Sequence, residues 1–251
     1  MKLAIQLWSV RNEANADFKA AVKQLKKMGY EGVEIAGIDS LSYYEMADIL
    51  KQEGMTAVSA HIGLDELENE EKLNGLKALG LKYIAFNGLG ISPEKLDWTR
   101  DYLTRMGKTA RDNGIYMLYH NHDYELIGSN GEIPLDTVYN AVDPEYLGAE
   151  IDVCWVKYAG IDPVEYVKKY KGRCPIVHLK DYNGKEKENG FSYKSVGSGV
   201  VDINGVIDAA RDADTEWLIV EQDSPEDGMT PMECAEKSAK FLLGESVFNV
   251  K

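Results

Sequence analysis

The segment Asn113–Glu125 has the sequence NGIYMLYHNHDYE. It contains one copy of the unit that repeats in the predicted fold. It begins with Asn113-Gly114, a pair that ends helices, and the apolar run Ile115–Leu118 then predicts a short buried strand. Two of the chain's four histidines, His120 and His122, follow at once. Because strand side chains alternate between faces, both imidazoles are expected to point the same way. The unit is a helix end, a buried strand and a polar strand end.

The same order of elements recurs along the chain. Apolar runs typical of strands alternate with segments of helical spacing, and glycine stands at several helix ends. The predicted strands cover residues 3–8, 32–35, 55–61, 82–86, 115–118, 147–153, 175–180 and 217–221. Strands that alternate with helices pair in parallel, and eight such units in 251 residues predict a closed (β/α)8 barrel.

A doubly wound open sheet is the alternative fold. It usually has a glycine-rich phosphate loop after its first strand, but residues 6–11, QLWSVR, contain no glycine. A long irregular segment is expected at residues 181–201, and no low-complexity linker divides the chain. We therefore predict a single barrel domain over residues 1–251.

Composition and charge exclude some classes of partner. The formal net charge is -14, and a nucleic-acid-binding surface needs an excess of Lys and Arg instead. The three cysteines, Cys154, Cys174 and Cys234, form no C-x-x-C, which favours reduced thiols and a cytoplasmic location. Met1–Ile5 leads directly into a strand-like run, and no apolar run approaches the length that spans a membrane. We expect neither a nucleic-acid partner nor a membrane partner.

Polar side chains collect at the predicted carboxyl ends of the strands, where barrels of this kind hold their active sites. They are Gln6, Trp8, Glu34, His61, Asn87, His120, His122, Glu150, Asp152, His178, Lys180 and Glu221. A single one has an ordinary explanation, such as an ion pair for Glu34 or a cap on the core for Trp8. Their joint occurrence on eight segments favours a functional site.

The last four strands offer a set of metal ligands. His120 or His122, together with Asp152, His178 and Glu221, would place imidazoles and carboxylates around one point. Mixed nitrogen and oxygen ligands suit a divalent ion such as Mn, Mg, Co or Zn.

Two further residues of these strands are assigned supporting roles. Lys180 shares a strand face with His178, where it either neutralises a substrate oxyanion or forms an ion pair with Asp181. Glu150 lies one layer deeper than Asp152 and is expected to support the ligands.

Several short motifs resemble the sugar phosphate isomerase/epimerase superfamily, the xylose-isomerase-like barrels. They are QLWSV at 6–10, GVE at 32–34, SAH at 59–61, YHNHDYE at 119–125, EID at 150–152, HLKD at 178–181 and VEQD at 220–223. The resemblance covers essentially the whole chain. It implies a (β/α)8 barrel with one divalent metal ion in its mouth. Barrels of this superfamily often pair, so a homo-oligomer is compatible with the resemblance, although no segment indicates an interface.

One position departs from the ketose 3-epimerase branch, whose metal ligands are Glu, Asp, His and Glu. Asp152, His178 and Glu221 match the last three, whereas His120 stands where the first glutamate is expected. A mechanism with two glutamates is therefore not implied. His122 resembles the catalytic base of relatives that eliminate from 3-keto-glycosides, and the superfamily also contains inosose dehydratases.

The chemistry shared by these branches is proton removal next to a carbonyl. We hypothesise that Glu221 and His122 form the acid/base pair and that Lys180 holds developing negative charge. The substrate-binding candidates are Trp8, Glu34, His61, Asn87 and Trp155. The expected function is a metal-dependent sugar isomerase or epimerase. A lyase or dehydratase of the same barrel, or a non-catalytic sugar-binding barrel, are the alternatives.

Two other possibilities have a weaker basis in the residues. Gly197-Ser198-Gly199 offers backbone N–H groups to an anion or forms a lid turn, and the lid turn is preferred. An abasic-site nuclease of the same barrel disagrees with the net charge of -14 and with only four histidines.

Overall fold

A single sheet of eight parallel strands closes into a barrel within residues 1–128 and 131–244, which the computed structural model describes. The barrel strands are β1 Lys2–Gln6, β2 Gly32–Ile35, β3 Thr56–Ala60, β4 Tyr83–Phe86, β5 Tyr116–His120, β6 Gly148–Asp152, β7 Ile176–Leu179 and β10 Trp217–Val220. Their order is β3-β2-β1-β10-β7-β6-β5-β4. A bridge between His61 and Ala85 joins β3 to β4, and the Ile62 N–H donates to the Ala85 carbonyl at 3.0 Å. The predicted (β/α)8 barrel is confirmed.

Helices surround the sheet and follow its strands. They are α1 Arg11–Ala16, α2 Phe18–Met28, α3 Tyr43–Glu53, α4 Glu70–Ala78, α5 Leu96–Asp112, α6 Pro134–Ala141, α7 Val153–Tyr158, α8 Pro163–Lys169, α9 Ile203–Asp212 and α10 Pro231–Gly244. Local sequence sets their ends: Asp17 caps the start of α2, and Gly29 ends it at a φ of 104°. Among the described residues, no helix combines the length and apolarity needed to cross a bilayer.

Three local elements were not predicted. Helix α1 follows β1 after a short 3-10 turn, and α7 begins directly after β6 at Val153. The segment 181–201, expected to be irregular, contains β8 Asp181–Tyr182 and β9 Tyr193–Lys194, which pair as an antiparallel hairpin. Strands of two residues carry too little periodicity to be recognised in a sequence.

The barrel interior changes from apolar to polar along the strands. Its lower part is an apolar cluster of Ala4, Val58, Tyr83, Leu118, Ile176, Trp217 and Ile219. Because inward positions recur at every second residue, the next inward residues after Leu118, Ile176 and Ile219 are His120, His178 and Glu221. Burial of the apolar layer thereby fixes which polar side chains meet at the barrel mouth.

Candidate active site

Six polar side chains form a buried cluster at the carboxyl ends of β5, β6, β7 and β10, which are neighbours in the barrel. They are His120, Glu150, Asp152, His178, Lys180 and Glu221, and none is more than 4% exposed. Buried charged groups persist only when they are paired, hydrogen-bonded or bound to a metal. The cluster is therefore the candidate site of chemistry.

Four of these side chains, His120, Asp152, His178 and Glu221, form what we call the ligand group. One potential ligand atom from each lies within 4.8 Å of the other three. His178 Nδ1 is 2.8 Å from Glu221 Oε2, and His120 Nε2 is 4.0 Å from both Asp152 Oδ2 and Glu221 Oε2. A single ion with bonds of about 2.0–2.2 Å spans such separations. The structure thus brings together the four ligands predicted with His120; His122 lies outside this group.

The chemistry of the ligand group fits a divalent cation. Asp152 Oδ2 is buried and accepts no hydrogen bond, whereas its Oδ1 accepts from the Cys154 N–H at 2.9 Å. Burial, reinforced by the charge of Glu221, raises the pKa of Asp152 to about 7, although Lys180 opposes the shift. Burial also lowers the pKa of His120 to about 4, which leaves the ring neutral, as metal ligation requires. A bound cation would offset the cost of burying the Asp152 charge.

Two carboxylates lie beneath the histidines: Glu150 is hydrogen-bonded to His120, whereas His178 Nε2 meets Glu150 and Glu34 as close ion-pair contacts without a hydrogen bond. Glu150 Oε1 is 3.0 Å from His120 Nδ1 and 3.1 Å from His178 Nε2, and Glu34 Oε2 is 2.9 Å from His178 Nε2. Each histidine therefore turns one nitrogen towards these carboxylates and the other towards the ligand group. A carboxylate on the far nitrogen is the usual support of a metal-bound imidazole.

A second set of ligand-type atoms overlaps the first. His61, His120, Glu150 and His178 also place one atom each within 4.8 Å of one another. His61 Nε2 is 2.8 Å from Glu150 Oε1 and 3.3 Å from Glu34 Oε2. Burial opposes protonation of His61, but Glu34 and Glu150 outweigh it and raise the pKa of His61 to about 10. An imidazolium thus balances these carboxylates without a metal, and the ligand group is the better cation site.

Lys180 is fully buried among three carboxylates. Its Nζ lies 2.8 Å from Asp223 Oδ2, 3.0 Å from Glu221 Oε1 and 3.4 Å from Asp152 Oδ2. Burial disfavours the ammonium, but Glu221, Asp152 and Asp223 outweigh it and hold the pKa of Lys180 well above its ordinary value. The residue is a fixed cation next to the ligand group.

The alternative partner of Lys180, Asp181, is engaged elsewhere. Its carboxylate accepts backbone N–H groups of Gly197, Gly199 and Val201 at 3.2, 2.8 and 3.1 Å. Lys180 therefore does not form the ion pair with Asp181 that the sequence allowed, and it pairs with Glu221 and Asp223 instead. The N–H groups around Ser198, considered as an anion site, already bind the Asp181 carboxylate.

A cavity of about 700 Å³ opens above the cluster. Eight of the residues proposed from the sequence line it: Gln6, Trp8, His61, Asn87, His120, His122, Trp155 and Glu221. Glu34 does not, because it is fully buried and bound by Ser59 Oγ at 2.5 Å and Gln6 Nε2 at 3.0 Å. The prediction that Glu34 contacts substrate is corrected: the structure places it under His178.

His122 is a neutral imidazole on the cavity wall. Its backbone N–H donates to Glu125 Oε2 at 2.8 Å, and its Nδ1 is buried without a hydrogen-bond partner. Burial first, and then the charge of Lys180, lower the pKa of His122. The His122 ring lines the cavity, and a neutral imidazole can accept a proton from a bound molecule through the ring nitrogen that carries no hydrogen.

The two tryptophans proposed as substrate-binding residues already make contacts within the protein. The guanidinium of Arg11 lies 4.2 Å from the centre of the Trp8 ring, so part of that ring is covered. Trp155 is 5% exposed and stacks on Phe191 at 5.9 Å, but its Nε1 is buried without a partner. Trp155 therefore lines the cavity without a free ring face. Asn87 stands exposed at the rim.

Sequence reasoning missed several residues that line the cavity, among them Arg11, Tyr193 and Asp223. Asp223 follows Glu221 by two positions, so the alternation that selected Glu221 could have selected it as well. Arg11 begins a helix after β1, and Tyr193 belongs to the hairpin in residues 181–201. Neither has a strand-end signal that would have indicated the site.

Known proteins match this chain at the level of fold and family. An inosose dehydratase of Bacillus cereus (strain AH820) is 28% identical over 163 residues, which cover 59% of this chain and 54% of that protein. The chain thus spans about half the length of this curated relative.

Two solved structures share the fold across nearly all of both chains. A sugar phosphate isomerase/epimerase from Parabacteroides distasonis ATCC 8503 superposes with a TM-score of 0.83 at 20% identity, over 98% of this chain and 95% of that one. The IOLI protein with a binding zinc atom superposes with a TM-score of 0.73 at 20% identity, over 100% and 99%. Residues 22–244 match the family described as xylose isomerase-like TIM barrel. With this match, the chain belongs to the xylose isomerase-like TIM barrel family.

Proposed function

We propose that this protein is a divalent-metal-dependent isomerase or epimerase that removes a proton next to the carbonyl of a keto-sugar. The observation that carries the proposal is the convergence of four potential metal ligands, one from each of four neighbouring strands, beneath a cavity of about 700 Å³. Support comes from the sugar phosphate isomerase/epimerase that shares its fold and from the zinc-binding IOLI protein.

Each residue of the site has a distinct task in this proposal. His120, Asp152, His178 and Glu221 would hold the ion, and Glu34 and Glu150 fix the two imidazoles from below. The bound cation would act as a Lewis acid on the substrate carbonyl and would help to orient the adjacent hydroxyl. Its identity among Mn, Mg, Co and Zn remains a prediction.

His122 is the better candidate for the base, and Glu221 for a ligand. His178 and Lys180 contact the Glu221 carboxylate at 2.8 and 3.0 Å. Although burial opposes it, Lys180 and the hydrogen bond with His178 hold the pKa of Glu221 well below its ordinary value, which makes the carboxylate a weak base. His122 is neutral and lines the cavity. Lys180 is fully buried and does not line the cavity, so in this proposal it balances the carboxylates of Asp152 and Glu221 and does not contact the substrate oxygen itself.

The test separates the base from the ligands. His122→Asn should lower kcat about 10²–10⁴-fold for a keto-sugar substrate while metal content stays near that of the parent. His178→Ala should lose both metal and activity. Metal is measured by elemental analysis, and proton transfer by solvent deuterium incorporation into the sugar. Near-parental turnover by His122→Asn would remove His122 from this role.

Dehydration is the second candidate reaction, because the curated relative is named an inosose dehydratase. The same base would remove the proton, and a hydroxyl on the neighbouring carbon would leave as water. In deuterated water, an isomerase or epimerase yields a product of unchanged formula that carries deuterium. A dehydratase yields an unsaturated product that has lost water, which mass spectrometry distinguishes.

A further inference from the structure

A second cavity, of about 360 Å³, lies on the same end of the barrel as the candidate active site. It is formed by the loop after β2, the start of α3, residues of the 64–68 turn and helix α4. Ala36, Gly37 and His61 line both this cavity and the larger one. The two cavities therefore adjoin at His61. His61 Nε2 lies 2.8 Å from Oε1 of Glu150, the carboxylate that lies beneath the ligand group.

The walls of this second cavity combine aromatic rings with charged groups. Tyr43 Oη donates to Glu66 Oε2 at 3.0 Å, and Lys72 Nζ lies 5.5 Å from the centre of the Tyr43 ring. Tyr44, which is 48% exposed, and Glu71 also line this cavity. Aromatic rings pack on the C–H face of a sugar, and carboxylates accept hydrogen bonds from its hydroxyl groups.

The cavity is held open by its own contacts. Asn15 Oδ1 accepts from the Asp39 N–H at 2.9 Å and the Ser40 N–H at 3.1 Å, and its Nδ2 donates to the Gly37 carbonyl at 2.8 Å. A side chain at Gly75 would place its Cβ 2.9 Å from the Tyr43 ring, so the glycine leaves room for that ring. A preformed cavity binds a ligand without the cost of ordering a loop.

We infer that the second cavity is a subsite for a second polar unit joined to the reacting ring, so that the substrate is a glycoside of two units. This inference rests on the proposed function. The reacting ring occupies the larger cavity over the ligand group, and the linkage passes beside His61. The larger cavity alone is already of a size that holds a small molecule, so the adjoining volume provides space for the additional unit.

The test uses a matched pair of variants in the 64–68 turn. Glu66 lines the second cavity, whereas Glu68, two residues on, pairs with Arg105 on the surface. Glu66→Gln and Tyr44→Ala should each lower kcat/KM about tenfold for keto derivatives of maltose, cellobiose or trehalose. They should leave kcat/KM for the one-ring keto-glucose unchanged. Glu68→Gln should change neither.

Binding measurements test the subsite independently of the reaction. Calorimetric titration with glucose, maltose, cellobiose and trehalose should show tighter binding of at least one disaccharide, and Glu66→Gln should abolish that preference. Disaccharide preference without turnover would support the subsite and contradict the proposed reaction. Turnover of keto-glucose with no disaccharide preference in binding or in kcat/KM would overturn the subsite and leave the reaction standing.

Discussion

At the scale of single residues, the site depends on how charges are distributed around two histidines. His120 and His178 each face carboxylates on both ring nitrogens, but the pKa of His120 is lowered chiefly by burial. For His178, Glu150 and Glu34 outweigh burial, and the pKa lies well above its ordinary value. A cation bound by the ligand group would favour the neutral form of both rings. The buried carboxylates therefore stabilise the imidazoles in both the protonated and the neutral, metal-bound form.

Glu150 permits a direct test of this support. Glu150→Gln removes the charge facing His120 Nδ1 and His178 Nε2 at 3.0 and 3.1 Å. We expect metal affinity to fall about 10–100-fold, as is typical for loss of a supporting carboxylate. Competition with a chelator, using Mn²⁺ and Zn²⁺ in turn, measures it. Glu125→Gln, which removes a carboxylate bound to the His122 N–H, is the control and should keep parental affinity.

Lys180 should matter for stability as well as for catalysis. Lys180→Met keeps the length of the side chain but leaves Asp152, Glu221 and Asp223 without their cation. Because removing one partner leaves buried charges unpaired, the metal-free protein should lose roughly 3–5 kcal/mol in free energy of unfolding. Urea unfolding measures the loss. Lys108→Met, which breaks an exposed pair with Asp112, should cost less than about 1 kcal/mol; equal losses would contradict the role assigned to Lys180.

At the scale of elements, strand alternation explains what could be predicted from the sequence. The inward positions of β5, β7 and β10 follow from a period of two, which is why His120, His178 and Glu221 were found together. Glu34 was assigned to the substrate surface because one sequence does not reveal depth within the barrel: its carboxylate lies under His178, and the pairing of β2 with β3 shifts register between Val33 and Glu34. That shift sets Ser59 against the Glu34 carboxylate, and one sequence does not reveal cross-strand register.

The segment 181–201 shows the other limit. Its conformation depends on contacts between distant residues, such as Asp181 with Gly199 and Ser195 with Glu226. Such contacts leave no periodic signal in the local sequence. Tyr193 was missed for this reason, although it lines the cavity.

Glu226 ties this segment to α10 and should do so in a pH-dependent way. Its Oε1 accepts from Ser195 Oγ at 2.7 Å and from Lys237 Nζ at 2.8 Å. Burial opposes the charged form, but Lys237 and Ser195 outweigh it and lower the pKa of Glu226 from 4.5 to about 2. A lowered folded-state pKa contributes stability above pH 4.5 that is lost as the pH falls towards 2.

The Glu226→Gln variant tests this dependence. At pH 7 it should be less stable than the parent by about 1 kcal/mol or less, since Glu226 is near the surface. The difference should shrink below pH 4.5 and vanish near pH 2. Thermal unfolding of both proteins across this range measures it. Glu236→Gln, which breaks an exposed pair with Lys240 on the same helix, should cost less at pH 7; a pH-independent deficit in Glu226→Gln would contradict the linkage.

At the scale of the whole molecule, the ligand group couples four strands that are far apart in sequence. His120, Asp152, His178 and Glu221 come from β5, β6, β7 and the end of β10, which are consecutive in the barrel. The opposite seam, between β3 and β4, is joined by a bridge between His61 and Ala85. We propose that residues 1–251 form one domain, of which positions 129–130 and 245–251 lie outside the described residues.

Metal binding should therefore stabilise the whole barrel, because its ligands meet only when these strands are assembled. Metal at 100 times its dissociation constant should add about 2.7 kcal/mol to the free energy of unfolding, and a chelator should remove this gain. Scanning calorimetry should show a single transition that moves to higher temperature with metal. His178→Ala should show no shift, whereas His122→Asn should shift like the parent. A ligand protects most strongly the strands that it joins, so metal should slow amide exchange most in β5, β6, β7 and β10. Equal slowing in β3 and β4 would contradict this position of the ion.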